Sequence, residues 1–217
     1  AAVEYWKTLP TDEGAQFEFD ADGARAALDA AGWRTGADGV RVRGADRASF
    51  PLLYNAQDTL RRDLAVAFAA AMKPIGVEVL TRGTSWDDID SELGTAAVVL
   101  GGGATPYSLD SQIYDTLHTR FPDSSPYSNP GDLTAPGLDA LLDEARASAP
   151  GPDNDLRYQR IQQVYAAQPS YVFLAFLHHT YAVRGEGRRH DAPILEPHSH
   201  GVTWGPWWNI PSWQPVS

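Results

Sequence analysis

The sequence has 217 residues, 43% hydrophobic and 21% charged, so it can bury a sizeable core as one large domain or two small ones and does not read as disordered. A net charge of −11 argues against nucleic acid as a partner, because phosphate backbones require clustered Lys and Arg. The absence of cysteine excludes disulfides and thiolate metal sites, no run nears the ~18 apolar residues of a membrane span, and no signal-peptide pattern opens the chain.

The first residue is Ala1 and not Met, which reads as a removed leader or as a piece of something longer. Residues 1–19 lack a sustained period and read as an extended hinge segment. Residues 20–31 read as a helix, with Asp20 as N-cap, Ala24, Ala27, Leu28 and Ala31 on one face, and Gly32 ending it. Asp38-Gly39, followed by the alternating Val40 and Val42, predicts a hairpin with a two-residue turn. Residues 49–55 read as a strand that Pro51 places at an edge or delays.

Residues 57–73 give the clearest helix, because Leu60, Leu64, Phe68 and Met72 repeat every four residues and Ala67 and Ala71 fill the same face. Arg61, Arg62 and Asp63 lie off that stripe and read as solvated surface. A strand over 75–80 follows Pro74, with Val77 and Val79 alternating against Glu78. Strand, helix and strand within about thirty residues have the size of a βαβ unit with a right-handed crossover. A short helix over 84–93, capped by Ser85 or Thr84, carries Asp87 and Asp88 in its first turn, where the helix dipole favours acids.

Residues 96–100 have the composition of a buried strand, read here as central, closing a second βαβ unit. They run into Gly101-Gly102-Gly103-Ala104-Thr105-Pro106-Tyr107. Ligands of open α/β sheets gather beyond the carboxyl ends of strands, and glycine lets a backbone or ligand come close. Read alone, this glycine run is a connector or a site.

Beyond it, residues 109–117 predict a helix turning Ile113 and Leu117 inward, and 119–134 are loop by composition. Helices follow over 136–147, with Pro136 in the first turn and Leu138, Leu141, Leu142 and Ala145 on one face, and over 154–168, with Leu156, Ile161, Val164 and Tyr165 apolar. The apolar run within 170–183 suits a strand buried on both faces. Residues 184–217 are irregular, and Trp204, Trp207, Trp208 and Trp213 imply that this tail packs on something large.

The order of these segments resembles the family 5 extracellular solute-binding proteins, the oligopeptide, dipeptide and nickel receptors of ABC importers. Asp20-Ala-Asp-Gly-Ala-Arg-Ala-Ala-Leu-Asp-Ala-Ala-Gly-Trp33 is similar to that family's Asp-Pro-x-x-Ala-x-x-Leu-Leu-x-x-Ala-Gly-Trp signature. Asp38-Gly39, residues 50–55, the long helix and Ile75-Gly-Val-Glu-Val79 follow in its order. Residues 102–107 fall at its ligand loop, Tyr127-Ser-Asn-Pro130 and Leu138-Asp-Ala-Leu-Leu-Asp-Glu-Ala145 match its later pattern, and 200–210 resemble the tail of actinobacterial members.

The resemblance implies an α/β fold, the second, C-terminal lobe of a two-lobed periplasmic-binding-protein-like receptor, with a mixed, mostly parallel sheet flanked by helices. It implies a hinge segment at 1–19, a ligand-binding lobe at 20–183 and a tail at 184–217 that returns to a missing large lobe. The implied partners are a peptide or peptide-like solute, the membrane subunits of an ABC importer and that large lobe. The implied location is the extracellular or periplasmic side of the envelope, with a lipidated N-terminus outside this chain. No enzymatic activity and no cofactor are implied.

The ligand-facing residues implied are Gly102, Gly103, Ala104, Thr105, Pro106 and Tyr107, with Asp110, His118, Tyr54 and Asn55 as further polar candidates. Peptide-binding relatives place an aspartate in the loop to meet the solute's ammonium; Thr105 stands there, and glycine replaces the loop's tryptophan, so a buried ammonium lacks its partner unless Asp110 or the other lobe supplies one. A nickel, zinc or metal-chelate receptor is the alternative. A metallohydrolase built on His190, His198 and His200 is a lesser one, and His178-His179, alternating across a strand, do not chelate one ion together. No Gly-x-Ser-x-Gly, P-loop or zincin motif is present.

Overall fold

A computed structural model of the chain describes residues 19–101, 109–175, 188–189 and 214–215. Helix α1 (Ala21–Ala30) begins as its sequence predicts: the Asp20 side chain accepts from Gly23 N at 2.8 Å. It ends in a left-handed Gly32 (φ 87°), with Gly32 N donating to Asp29 O and Trp33 N reaching back to Leu28 O, which satisfies the last carbonyls. Strands β1 (Arg34–Thr35), β2 (Arg41–Arg43) and β3 (Asp46–Arg47) form a small antiparallel sheet. The hairpin at Asp38-Gly39 is present, but its turn is longer than two residues. Gly39 N donates to Gly36 O, Gly36 N donates to Val40 O, and Gly39 takes the left-handed position at φ 86°. The buried Arg41 ties this sheet to its surroundings, pairing with Asp29 at 2.6 Å and donating from Nε to Ile75 O at 2.8 Å.

The main sheet is parallel, in the order β5-β4-β6, from β4 (Ser49–Asn55), β5 (Glu78–Thr84) and β6 (Ala97–Val98). Helix α2 (Thr59–Met72) joins β4 to β5, and α3 (Trp86–Ser91) joins β5 to β6. The two crossovers run in opposite directions across the sheet, so their right-handedness puts α2 and α3 on opposite faces. Leu52, Ala65 and Val99 form the buried centre on the α2 face, flanked by Tyr54, Leu64, Phe68 and Val79. Leu53 and Ile89 are fully enclosed on the α3 side.

Four expectations change here. Among the described strands β4 is the middle one and β6 an edge. Pro51 is tolerated because Leu53 O accepts from Val99 N on the β6 side, so the donor that Pro51 lacks would point the same way, while pairing with β6 begins only at Leu52. The strand expected from 75 starts at Glu78, since Lys73–Ile75 form a 3-10 turn closed by Gly76 at φ 82°; it then runs on to Thr84 because all seven residues of β4 pair with it. The buried stripe of α2 is rotated by about one residue, leaving Leu60 exposed and placing Ala65 at the centre.

A second layer is helical: α4 (Leu109–Leu117), α5 (Leu138–Ala147) and α6 (Pro152–Ala167). Ile113, Tyr114, Leu117, Leu138, Leu142, Ala145, Tyr158, Ile161 and Tyr165 form its core, as the inward positions of the sequence predict for most of them. Helix α5 starts two residues late, with a left-handed Gly137 (φ 81°) at its N-cap, so Pro136 lies in the preceding turn. Leu156, one of the apolar residues of its helix, is exposed, and Tyr158 is buried on α6. The described start of the expected strand, residues 171–175, is not paired, and Val172 and Phe173 are exposed at 72% and 69%. Of the tail, Arg188–Arg189 and Gln214–Pro215 pair as short antiparallel strands β7 and β8.

Candidate functional site

The strand order decides where a ligand would sit. With β4 in the middle and crossovers leaving in opposite directions, the topological switch point lies between β4 and β6, at their carboxyl ends. Four segments meet at that end of the sheet: 55–58 after β4, the first turn of α2, 84–86 after β5, and Gly101 after β6. Their backbones are tied together, since Ala56 N donates to Thr84 O and Asp58 N to Asn55 O.

Arg61 occupies this corner. Its Nη1 pairs with Asp58, whose other carboxylate oxygen caps α2 by accepting from Arg61 N at 2.9 Å. The same backbone bond, with the Arg61 charge, holds the Asp58 carboxyl below the usual carboxylate range. The guanidinium lies 5.4 Å from the centroid of the Trp86 ring on α3, a cation–π distance. A Cβ placed on Gly101 would stand 2.9 Å from Arg61 Nη2, so the glycine at this position gives the guanidinium its room. Tyr127 meets Trp86 edge-on, with centroids 5.6 Å apart. Arg61 Nε is buried and has no hydrogen-bond partner.

The residues singled out in the sequence fall in three places. Gly102, Gly103, Ala104, Thr105, Pro106 and Tyr107 lie outside the described residues, as do His178, His179, His190, His198 and His200. Asn55 and Tyr54 are at the carboxyl end of β4. Asn55 Oδ1 accepts from Gln57 N at 3.0 Å and shapes the turn into α2, whereas the Tyr54 ring crosses β5 beside Gly83, where a Cβ would come within 2.9 Å of it.

Asp110 and His118 belong to the helical layer. Both carboxylate oxygens of Asp110 are held by Arg146, at 2.8 and 2.9 Å, and this pairing raises the Arg146 pKa. The His118 ring is buried between Tyr114 and Phe121, with centroids 4.8 and 4.6 Å away. Its Nδ1 lies 2.6 Å from Thr119 O, an acceptor only, so Nδ1 is the donor in this bond. Burial, with a bond to Asp143, pushes the Tyr114 hydroxyl up. Asn129, 1% exposed, donates to His118 O and Leu133 O, and Asp139 accepts from Thr119 and Thr134. The Tyr-Ser-Asn-Pro segment therefore works through Asn129 as a clamp on the 119–134 loop. Among the described residues, no group of three or more His, Asp or Glu could hold a metal ion.

Arg61 has no direct sign in the sequence, because the helical period of its neighbours puts it beside the apolar stripe and not on it. Its signal lies in the topology: a long side chain in the first turn after a strand that turns out to be central.

The fold is that of solute receptors. NikZ from Campylobacter jejuni, solved with Ni(L-His), superposes with a TM-score of 0.65 at 19% identity, over 74% of this chain and 32% of that one. The oligopeptide-binding protein AppA of Bacillus subtilis, solved with a nonapeptide, superposes with a TM-score of 0.59 at 24% identity, over 69% of this chain and 30% of its own. Protein XP55 of Streptomyces lividans is 34% identical over 182 residues, 81% of this chain and 33% of that protein. A profile of bacterial extracellular solute-binding proteins, family 5 (middle region), matches residues 2–124. The chain belongs to this family of solute-binding proteins. It spans about a third of the length of the relatives it matches.

Proposed function

We propose that this chain is the ligand-closing lobe of an ABC-importer receptor and that it binds a peptide or peptide-like solute at the carboxyl end of its parallel sheet. The observation that carries the reading is the convergence of Asn55, Arg61, Trp86 and Gly101 at the switch point between β4 and β6, where open α/β sheets take their ligands. The solved complex of AppA with a nonapeptide supports a peptide as the solute class.

In this account the residues after Gly101, including Gly102 to Tyr107, face the solute, and Asn55 lines the floor. Asp110 and His118 act from behind by fixing the helices that follow. A second lobe closes over the solute, and the closed state is favoured by the solute's greater affinity for it. The protein works outside the membrane and passes the solute to importer subunits; it transforms nothing.

The test is to purify the full-length protein without denaturation, unfold it and identify what it releases by mass spectrometry. Release of stoichiometric peptide or peptide-like material is expected. A protein that releases no small molecule and gives no binding heat with a mixed peptide digest would overturn the reading.

A further inference from the structure

Arginine recognises a carboxylate best through the edge that carries Nε and Nη2, two parallel donors matched to two oxygens. Two other arginines of this protein use that edge in this way. Arg146 grips Asp110 at 2.8 and 2.9 Å, and Arg47 holds Glu78 at 3.2 and 3.4 Å. Elsewhere Arg41 Nε donates to Ile75 O, Arg62 Nε to Asp63 and Arg157 Nε to Glu144. Arg61 differs from these: its Nε is the only buried side-chain donor without a partner among the described residues, the other two buried unpaired atoms, Asn154 Oδ1 and Gln162 Oε1, being acceptors on α6.

The empty edge is not a consequence of a loose side chain. Asp58 holds Nη1, and Asp58 is itself fixed as the cap of α2. The guanidinium carbon lies over the Trp86 ring, and Gly101 adjoins Nη2. Swinging Arg61 to fill Nε within the protein would give up the Asp58 pair and the ring contact together. A buried donor left unpaired costs about 1–3 kcal/mol, a cost removed when an acceptor arrives. The first turn of α2 adds its own positive end to the corner, which offsets part of the nearby Asp58 charge.

We propose that the Nε/Nη2 edge of Arg61, beside Gly101, is a subsite that receives a carboxylate of the solute and selects for solutes that carry one. This rests on the receptor reading above and sharpens it. The ammonium partner that the loop lacks at Thr105 is then not the main polar anchor on this lobe; the anchor is a cation for the solute's negative group. A terminal carboxylate and an acidic side chain offer the same two oxygens, and comparing a peptide with its terminal amide separates them.

The experiment is NMR of the full-length protein labelled with ¹⁵N-arginine, following the Nε–Hε signals as sodium acetate is added, with acetamide and sodium chloride as controls. Arg61→Lys identifies the Arg61 signal by its loss. Acetate is expected to move that signal downfield in a saturable way, with at least about tenfold preference over acetamide, the scale of one charge-assisted contact. The Arg146 and Arg47 signals, whose edges are already filled, are expected to stay in place. Gly101→Ala, which sets a methyl group against Nη2, is expected to keep the Arg61 signal but remove its response. An Arg61 signal that moves no more than the others, or equally with acetamide and chloride, overturns the subsite. The two failures are distinct: a protein that releases no solute yet shows the acetate response loses only the receptor reading, and one that releases a solute without a carboxylate and shows no response loses only the subsite.

Discussion

Arg61 precedes the glycine-rich segment in the sequence and Arg146 follows it, and their surroundings differ in one respect that separates a site from a scaffold. Arg146 joins Asp110, at the start of α4, to α5 through a filled two-donor grip, and its guanidinium lies over the Tyr114 ring at 3.2 Å. Arg61 has Nη1 paired with Asp58, its guanidinium carbon over the Trp86 ring and its Nε unpaired. In the helical layer the two-donor edge of Arg146 is filled and the buried atoms left unpaired, Asn154 Oδ1 and Gln162 Oε1, are acceptors; at the crevice Arg61 leaves a buried donor unpaired. Among the described residues Arg61 Nε is the only buried side-chain donor without a partner, and at the edge of a crevice such a donor invites an acceptor.

The comparison can be broken most severely through the cores that hold the two regions. Leu142→Ala, at a position 1% exposed in the helical layer, is expected to cost about 2–5 kcal/mol in urea denaturation. A loss below about 1 kcal/mol would mean that the layer is held by its charges and not by apolar packing. Next in size is a split between the two arginines. Arg61→Met is expected to weaken solute binding to the full-length protein by about tenfold or more while stability changes by less than about 1 kcal/mol, since its Asp58 pair is part-exposed. Arg146→Met is expected to act on stability instead, by about 1 kcal/mol, because its pair is also partly screened. Equal effects of the two on stability, with no effect of Arg61→Met on binding, would erase the distinction.

Acid should affect both regions. The cap bond from Arg61 N lowers the Asp58 carboxyl; in the helical layer burial raises Asp139, but its bonds from Thr119 outweigh that and leave it lowered. Hydrogen bonds from Arg41 and Arg47 lower Asp29 and Asp38 in the same direction. Carboxyls depressed in the folded state contribute stability above their unfolded pKa, near 4, and lose it as pH falls through the folded value. Denaturation midpoints should therefore be flat from neutrality to about pH 5 and decline below about pH 4. A midpoint that rises on acidification would contradict the assignment. The smallest effect is expected from Gly101→Ala, within about 0.5 kcal/mol of wild type, because the atom it meets is the end of a side chain.

Much of the fold was legible because its signals are local. Asp20 and Ser85 cap helices, Gly32 and Gly39 take left-handed positions, and Ile113, Leu117, Leu138 and Leu142 point inward as their spacing predicts. What failed depended on partners distant in sequence. Glu78–Thr84 stays extended through polar residues because β4 supplies its hydrogen bonds, and a four-residue repeat of large apolar residues could not reveal which side of α2 the sheet would cover. The site was half legible for the same reason. The glycine at the end of β6 carries its meaning in the sequence, but Arg61 acquires its meaning only when α2, α3 and β6 are brought to one corner.

The central claim is that solute binds at the carboxyl ends of β4, β5 and β6. Hydrogen exchange on the full-length protein, with its released solute removed and then restored, tests it most directly. Protection gained on restoring the solute should concentrate in residues 55–61 and 84–86 and at Gly101. Protection confined to residues 138–167, or an exchange pattern unchanged across the lobe, would contradict it.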